Sequence, residues 1–251
     1  LTANAAVVQE GDSAAATLSV EDTVDVDYSF DVVTVDGTAG TSAGDYTYTT
    51  KTFTILADTT ELLADDGTGT LVPDMTFTVP IAADSIVELN EDFHITTKNI
   101  NAQGRSIVLD LNSTVTIENT TAALLSINDV TFTEGDSDKT LVQMTVTLDT
   151  EVDVPVTVDY SIDSASSTAT SATTGLSGDQ DYLDTSGQLT FVGQAGEQQT
   201  IGVYVNGDNV VEATEALTVL LANEAASGRD VVIGDDHGNQ GKKVNVEDCR
   251  G

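Results

Sequence analysis

The residues with the most chemical potential in this chain are carboxylates at a fixed spacing. Asp208, Glu212 and Glu215 fall within eight residues, next to the run IGVYV (201–205). Asp84, Glu88 and Glu91 repeat that spacing in the first half of the chain. Carboxylates about 4 Å apart repel by roughly 4 kcal/mol at an effective dielectric near 20. Such a cluster either raises its own pKa values or binds a hard cation. Calcium suits it, because calcium accepts 6–8 oxygens from carboxylates and carbonyls in a tolerant geometry. Magnesium demands a tighter octahedron.

The elements that must position these acids read as strands. VDVDYSF (24–30), TFTIL (52–56), MTFTVPI (75–81), STVTIE (113–118), LVQMTVTLD (141–149), VPVTVDYSI (154–162), QLTFV (188–192) and IGVYV (201–205) alternate or are rich in β-branched residues. Turns rich in Gly, Asp, Asn and Ser separate them. Short strands at this spacing, with almost no helical period, predict an all-β sandwich.

The chain is also internally repeated. Glu10-Gly11-Asp12-Ser13 recurs as Glu134-Gly135-Asp136-Ser137, 124 residues on. The acidic cluster and Gly104-Arg105, which recurs as Gly228-Arg229, share that offset of 124. Asp45-Tyr46 matches Asp181-Tyr182 at 136, so copy one carries 12 extra residues between about 57 and 75. That stretch is polar and reads as a longer loop. The junction, near AALLSIND (122–129), has no Gly/Ser-rich or Pro-rich linker. Two domains are expected, at 1–121 and 122–251, joined end to end by a short, stiff linker.

Composition narrows the partners. Forty-two acids face eight bases, for a net charge of -34. Nucleic acid and anionic membranes carry the same sign and are set aside. No run of about 18 apolar residues predicts membrane insertion. Aromatic residues are 5% and Trp is absent, so the core is expected to be mostly Val, Ile, Leu and Ala. One cysteine, Cys249, excludes an intrachain disulfide and a cysteine-based metal site. It reads as a free thiol or, in an oxidising compartment, as a link to another chain. The sequence begins with Leu1, as expected of a processed product or an excised fragment.

Taken together, the motifs resemble the Calx-beta family. Copy two shows VTFTEGDSD, VPVTVDYSI, GDQDYLDTSGQLTF, NGDNVVEATEALTVLL and KKVNVED. Copy one shows VVQEGDS, TVDVDYSF, AGDYTY, ADSIVELNEDFHI and STVTIEN. The resemblance implies two tandem immunoglobulin-like Calx-β sandwiches with Ca2+ bound at one end of each. The implied ligands are Glu10, Asp45, Asp84, Glu88, Glu91 and the Ile86 carbonyl in copy one. In copy two they are Glu134, Asp181, Asp208, Glu212, Glu215, the Val210 carbonyl and Asp248. The terminal acids depart from the family pattern: copy one has Glu118-Asn119-Thr120-Thr121 and copy two Glu247-Asp248-Cys249. Fewer or weaker calcium ions follow, which favours a structural role over fast sensing.

The expected function is a non-catalytic extracellular or cell-surface module, a calcium-rigidified stalk or adhesion segment. Its partners would be calcium ions and other protein domains or copies of itself. One alternative is a self-assembling subunit of an extracellular filament or surface layer, and another is a calcium-sensing regulatory module. No enzyme is expected: no G-x-S-x-G elbow occurs, and neither His94 nor His237 is placed for a triad. His94 reads as a strand-face residue and His237 as part of the loop GDDHGNQG. Asp12, Asp22, Asp31, Asp65, Asp66, Asp149 and Glu151 read as plain surface charge.

Overall fold

A computed structural model describes residues 2–3, 6–135, 137–176, 180–209, 213–234 and 241–247. Every element among them is a strand, bridge or turn, so the fold is all-β. The expected Val210, Glu212 and Asp248 lie outside the described residues, as does His237.

Contacts divide the chain into two compact units, Leu1–Asp84 with Leu89–Thr120, and Ser85–Glu88 with Thr121–Gly251. The first holds β1 (Thr2–Ala3), β2 (Ala6–Gln9), β3 (Ser13–Ser19), β4 (Tyr28–Asp36), β5 (Thr50–Ile55), β6 (Leu63–Asp65), β7 (Leu71–Pro73), β8 (Thr76–Pro80), β9 (Glu91–Asn101) and β10 (Asn112–Glu118). They form a three-stranded sheet, β1-β3-β8, and a seven-stranded sheet, β2-β10-β9-β4-β5-β6-β7. The second unit holds β11 (Ala123–Ile127), β12 (Val130–Thr133), β13 (Lys139–Leu148), β14 (Val156–Ile162), β15 (Ser171–Ala172), β16 (Tyr182–Leu183), β17 (Ser186–Phe191), β18 (Glu197–Asn206), β19 (Glu215–Ala225), β20 (Val231–Ile233) and β21 (Gly241–Glu247). Its sheets run β15-β16-β18-β13-β11-β20 and β12-β21-β19-β14-β17.

Each unit splits its opening segment between two sheets. In the first, β1 pairs antiparallel with β3, while β2 pairs parallel with the last strand, β10. In the second, β11 pairs with β13 and β12 runs parallel to β21. The crossing ties the two sheets together at one edge.

Period-two alternation fills the space between the sheets. In β3, the sequence SAAATLS buries Ala14, Ala16 and Leu18 and exposes the rest. Ala and Ser are weak strand formers, so propensity misses this strand and packing specifies it. In the first unit Tyr28, Phe30, Tyr46, Phe53, Phe77 and Phe93 are all buried. The rest of that core is Ala, Val, Ile and Leu, as expected, although half of the chain's twelve aromatic rings are gathered there. The second core follows the expectation more closely, with Leu125, Met144, Val158, Ile201 and Leu217 beside Tyr182 and Phe191.

Three expectations change. The 57–75 stretch is not only loop: β6 and β7 pair as a hairpin on β5 and bury Leu62, Leu63 and Ala64. The strand expected from residue 24 starts at Tyr28. Side chains hold the preceding residues instead, with Asp25 ion-paired to Arg105 at 2.8 Å and Asp27 accepting the Ala57 N–H at 2.8 Å. Several carboxylates read as plain surface charge also have fixed partners. Asp31 accepts from Thr52 and Asn99, both at 2.7 Å, at a bulge between β4 and β9. Asp159 repeats this with Gln188 and Asn223 at the bulge between β14 and β19. Asp65 accepts the N–H groups of Gly67 and Gly69, and Asp149 accepts that of Leu124. The carboxylate oxygens satisfy backbone donors that no ladder reaches. His94 lies in β9 as expected, 3.2 Å from the Thr114 hydroxyl.

Candidate metal centre

In the first unit the turn after β2 carries Glu10. Gly11 takes a φ of 80°, a value that favours glycine, and its N–H donates to the Ala82 carbonyl at 2.9 Å. The Ile81 N–H donates to Asp12 at 3.0 Å, and the Ala82 N–H donates to the Asp45 carbonyl at 2.9 Å. The Glu10 turn, the Asp45 loop and the segment ending in Asp84 are thus held together by backbone bonds.

The Asp45 side chain is itself oriented, since Oδ2 accepts the Gly40 N–H at 2.6 Å. Its neighbour Tyr46 anchors the loop from inside. The Tyr46 ring stacks on Phe93 with centroids 4.3 Å apart, and its hydroxyl donates to Asp36 at 2.6 Å. Burial and this acidic neighbour push the Tyr46 phenol well above its ordinary value.

Glu10 and Asp84 offer carboxylate oxygens within 4.8 Å of one another. Glu10 is half-buried and Asp84 exposed. The Glu10 pKa is raised from 4.5, first by burial and then by the charges of Asp84 and Asp45. The close pair Glu10 and Asp84, with the charge of Asp45 acting on Glu10, is a donor set that fits a hard divalent cation. Glu91 opens β9 opposite Ile117 and is also half-buried.

The raised Glu10 pKa sets a pH dependence. Its contribution to stability is fully present below the unfolded value of 4.5 and is lost as the pH rises through the higher folded value. In chelator, the first unit should therefore lose stability across that window, and Glu10→Gln should flatten the loss. Chemical denaturation of both proteins between about pH 4 and 7 measures the difference. The shift should be modest, because Glu10 remains partly in water.

The second unit repeats the arrangement with deeper burial. Glu134 and Asp181 are 6% and 5% exposed. The Asp181 carbonyl accepts the Asn206 N–H at 2.8 Å, as Asp45 does from Ala82. Asp181 Oδ2 accepts from the Thr170 N–H and hydroxyl. The Gly207 N–H donates to the Asp138 carbonyl at 2.9 Å. A side chain at Gly207 would meet the Gly135 carbonyl oxygen at 2.4 Å, so this close approach needs glycine. Asp208 is half-buried, and Glu215 opens β19 with a buried carboxylate oxygen.

Of the remaining expected ligands, Ile86 and Glu88 belong to the Ser85–Glu88 segment of the second unit. Val87 between them is buried in that unit's core, and its N–H donates to the Glu151 carbonyl at 2.8 Å. The charge of Glu88 acts on Arg229, whose guanidinium is raised first by its hydrogen bond to Asp153. Sequence reasoning did not single out Gly40 and Thr170, the residues that orient Asp45 and Asp181. Their loops differ in length and composition between the copies, so no shared spacing marks them.

The family model for the Calx-beta domain matches twice, over residues 2–121 and 124–248. No curated protein matches the chain. Among solved structures, the calcium binding domain CBD12 of CALX1.1 is 15% identical, with 96% of each chain covered and a TM-score of 0.36. CBD12 from CALX1.2 is 14% identical, over 97% of this chain and 99% of that one, with a TM-score of 0.37. The apo-form Calx CBD1 domain is 18% identical, over 51% of this chain and 97% of that one, with a TM-score of 0.38. With two family matches that together span nearly its whole length, the chain belongs to the Calx-beta domain family.

Proposed function

We propose that this chain is a non-catalytic, calcium-stabilised structural module of an extracellular or cell-surface protein, a stalk or adhesion segment. The observation that carries the reading is the burial of two acids, Glu134 and Asp181, in the second unit. Glu134 and Asp181 are nearly removed from water in a chain of net charge -34. Burying a carboxylate costs several kcal/mol unless hydrogen bonds and a cation or other positive charge compensate. Glu10, Asp45 and Asp84 give the first unit a second, more open acid cluster.

In this reading Glu10, Asp45 and Asp84 hold calcium in the first unit. Glu134, Asp181, Asp208 and Glu215 hold it in the second. The family resemblance adds the Ile86 carbonyl, Glu88, Glu91, the Val210 carbonyl, Glu212 and Asp248. The ions would neutralise part of the charge and hold the loops that carry the acids.

Calcium titration by calorimetry tests the role. Dissociation constants near 10⁻⁴–10⁻³ M, typical of extracellular modules, support the structural reading. Values near 10⁻⁷–10⁻⁵ M with a change in hydrodynamic radius would indicate a sensor instead. Absence of binding heat and of competition with other divalent ions would remove calcium from the account. Assembly into a filament or surface layer would appear in sedimentation as a mass that rises with concentration.

A further inference from the structure

The two units differ in how far one ladder runs. In the second unit β13 stays paired with β18 to its end, through Val146 with Gln199, Thr147 with Gln198 and Leu148 with Glu197. In the first unit the matching ladder of β3 and β8 stops at Thr17 and Thr76, which stand where Thr145 and Thr200 do. One further bond remains, from the Leu18 N–H to the Met75 carbonyl at 2.8 Å. Residues 73–75 then turn away to join the hairpin of β6 and β7. Pro73 pairs with Leu63 and has no N–H, and the Asp74 N–H donates to the Leu62 carbonyl at 2.9 Å.

Ser19 and Val20 are thereby parted from Pro73 and Asp74, and a cleft of about 330 Å³ opens between them. All its lining residues except Ser19 and Val20 belong to the 57–75 stretch, where copy one carries its 12 extra residues. Leu62, 2% exposed, is the most deeply placed of them, and Val20, Pro73 and Met75 add further apolar surface. Thr60, Glu61 and Asp74 bring polar groups to the cleft, with Ser19. The Asp74 charge is already answered. Lys51 Nζ donates to its Oδ2 at 2.5 Å, and the Thr76 N–H and hydroxyl both donate to its Oδ1 at 2.8 Å. Among the described residues Glu61 forms no ion pair. Glu61 therefore leaves the cleft with a net negative charge, in a chain whose own net charge is -34.

We propose that this cleft binds a small organic monocation, a primary ammonium on an apolar body. Its volume is near the lower end of the roughly 300–1,000 Å³ usual for ligand sites, which limits the body to about one ring or a short branched chain. That body covers Leu62 and the Met75 side chain, which is 56% exposed and whose unbranched thioether adapts to the ligand's shape. The ammonium pairs with the Glu61 carboxylate, and the Ser19 and Thr60 hydroxyl oxygens are further acceptors. An anion of the same shape is repelled by Glu61 and by the field of the whole chain. A cation without an apolar body gains nothing from the cleft beyond one exposed ion pair. The site is built by the insertion and is independent of the proposed metal role.

The chain's two methionines give a site-resolved test. Met75 lines the cleft, and Met144 is buried in the core of the second unit. The whole chain, labelled with ¹³C at the methionine methyls and freed of calcium, is titrated with 2-phenylethylammonium at fixed ionic strength. The Met75 methyl signal should move and saturate with a Kd of about 10 mM or below, while the Met144 signal stays in place. The neutral analogue 2-phenylethanol should bind about two- to fivefold more weakly, as loss of one exposed ion pair implies. 3-Phenylpropionate and methylammonium should leave Met75 unmoved. Glu61→Gln changes an exposed side chain, so the fold is kept. It should weaken the phenylethylammonium by the same two- to fivefold and leave 2-phenylethanol unchanged. The proposal falls if no saturable shift appears at Met75, or if methylammonium or the anion produces the same shift. It also falls if Glu61→Gln leaves the affinity for the amine as it was.

Discussion

Chelation of calcium at fixed ionic strength should lower the melting temperature of this chain by roughly 10–20 °C at a starting concentration near 100 Kd. The arithmetic is mass action. A ligand that binds only the folded state at 100 times its Kd stabilises it by about 2.7 kcal/mol. For a domain of about 100 residues each kcal/mol moves the midpoint by roughly 4–8 °C. The physical source is the acid clusters, which repel one another in the fold and are relieved by a divalent charge in their midst. Sodium at equal ionic strength should not restore the loss, because screening acts weakly on partly buried groups. Calorimetric scans in calcium, in chelator and in chelator with sodium give the answer. Equal midpoints in all three would leave a salt-adapted sandwich without structural metal sites.

The second large effect is expected at Glu134. In chelator, Glu134→Gln should raise the melting temperature of the second unit, because a buried negative charge is removed from a strongly acidic chain. In calcium the same substitution should lower it, because a charged oxygen ligand is lost. A change of sign between the two conditions is the signature of a cation site. A residue that merely packs would shift both scans in the same direction. The corresponding change at Glu10 should be smaller, since Glu10 is only half-buried. Scans of both variants, each with and without calcium, compare the two units within one chain.

Much of this molecule was legible before any coordinates. The 124-residue offset of the EG, D-x-x-x-E-x-x-E and GR anchors marked two copies. The strands of high propensity, such as β14 and β18, appeared close to where the sequence put them. The repeat also continues where no motif was noted. Asn99 and Asn223, at the same offset, both take a φ of 54°.

Other features needed the third dimension. β3 is written in Ala and Ser, which carry little strand preference, and it exists because it pairs with β8 and buries Ala14, Ala16 and Leu18 in the core. The 57–75 insertion looked like loop because its apolar residues are few, yet β5 offers an edge that β6 and β7 extend. In the acid clusters, sequence named the carboxylates but not their company. Glu10, Asp45 and Asp84 meet only because backbone bonds join three segments far apart in the chain. Spacing records neighbours along the chain, whereas burial and charge repulsion depend on neighbours in space. The carboxylate types and their repeat were thus set by the sequence itself. How deeply each acid is buried, and which backbone donors hold it, was decided by the packing of the sheets.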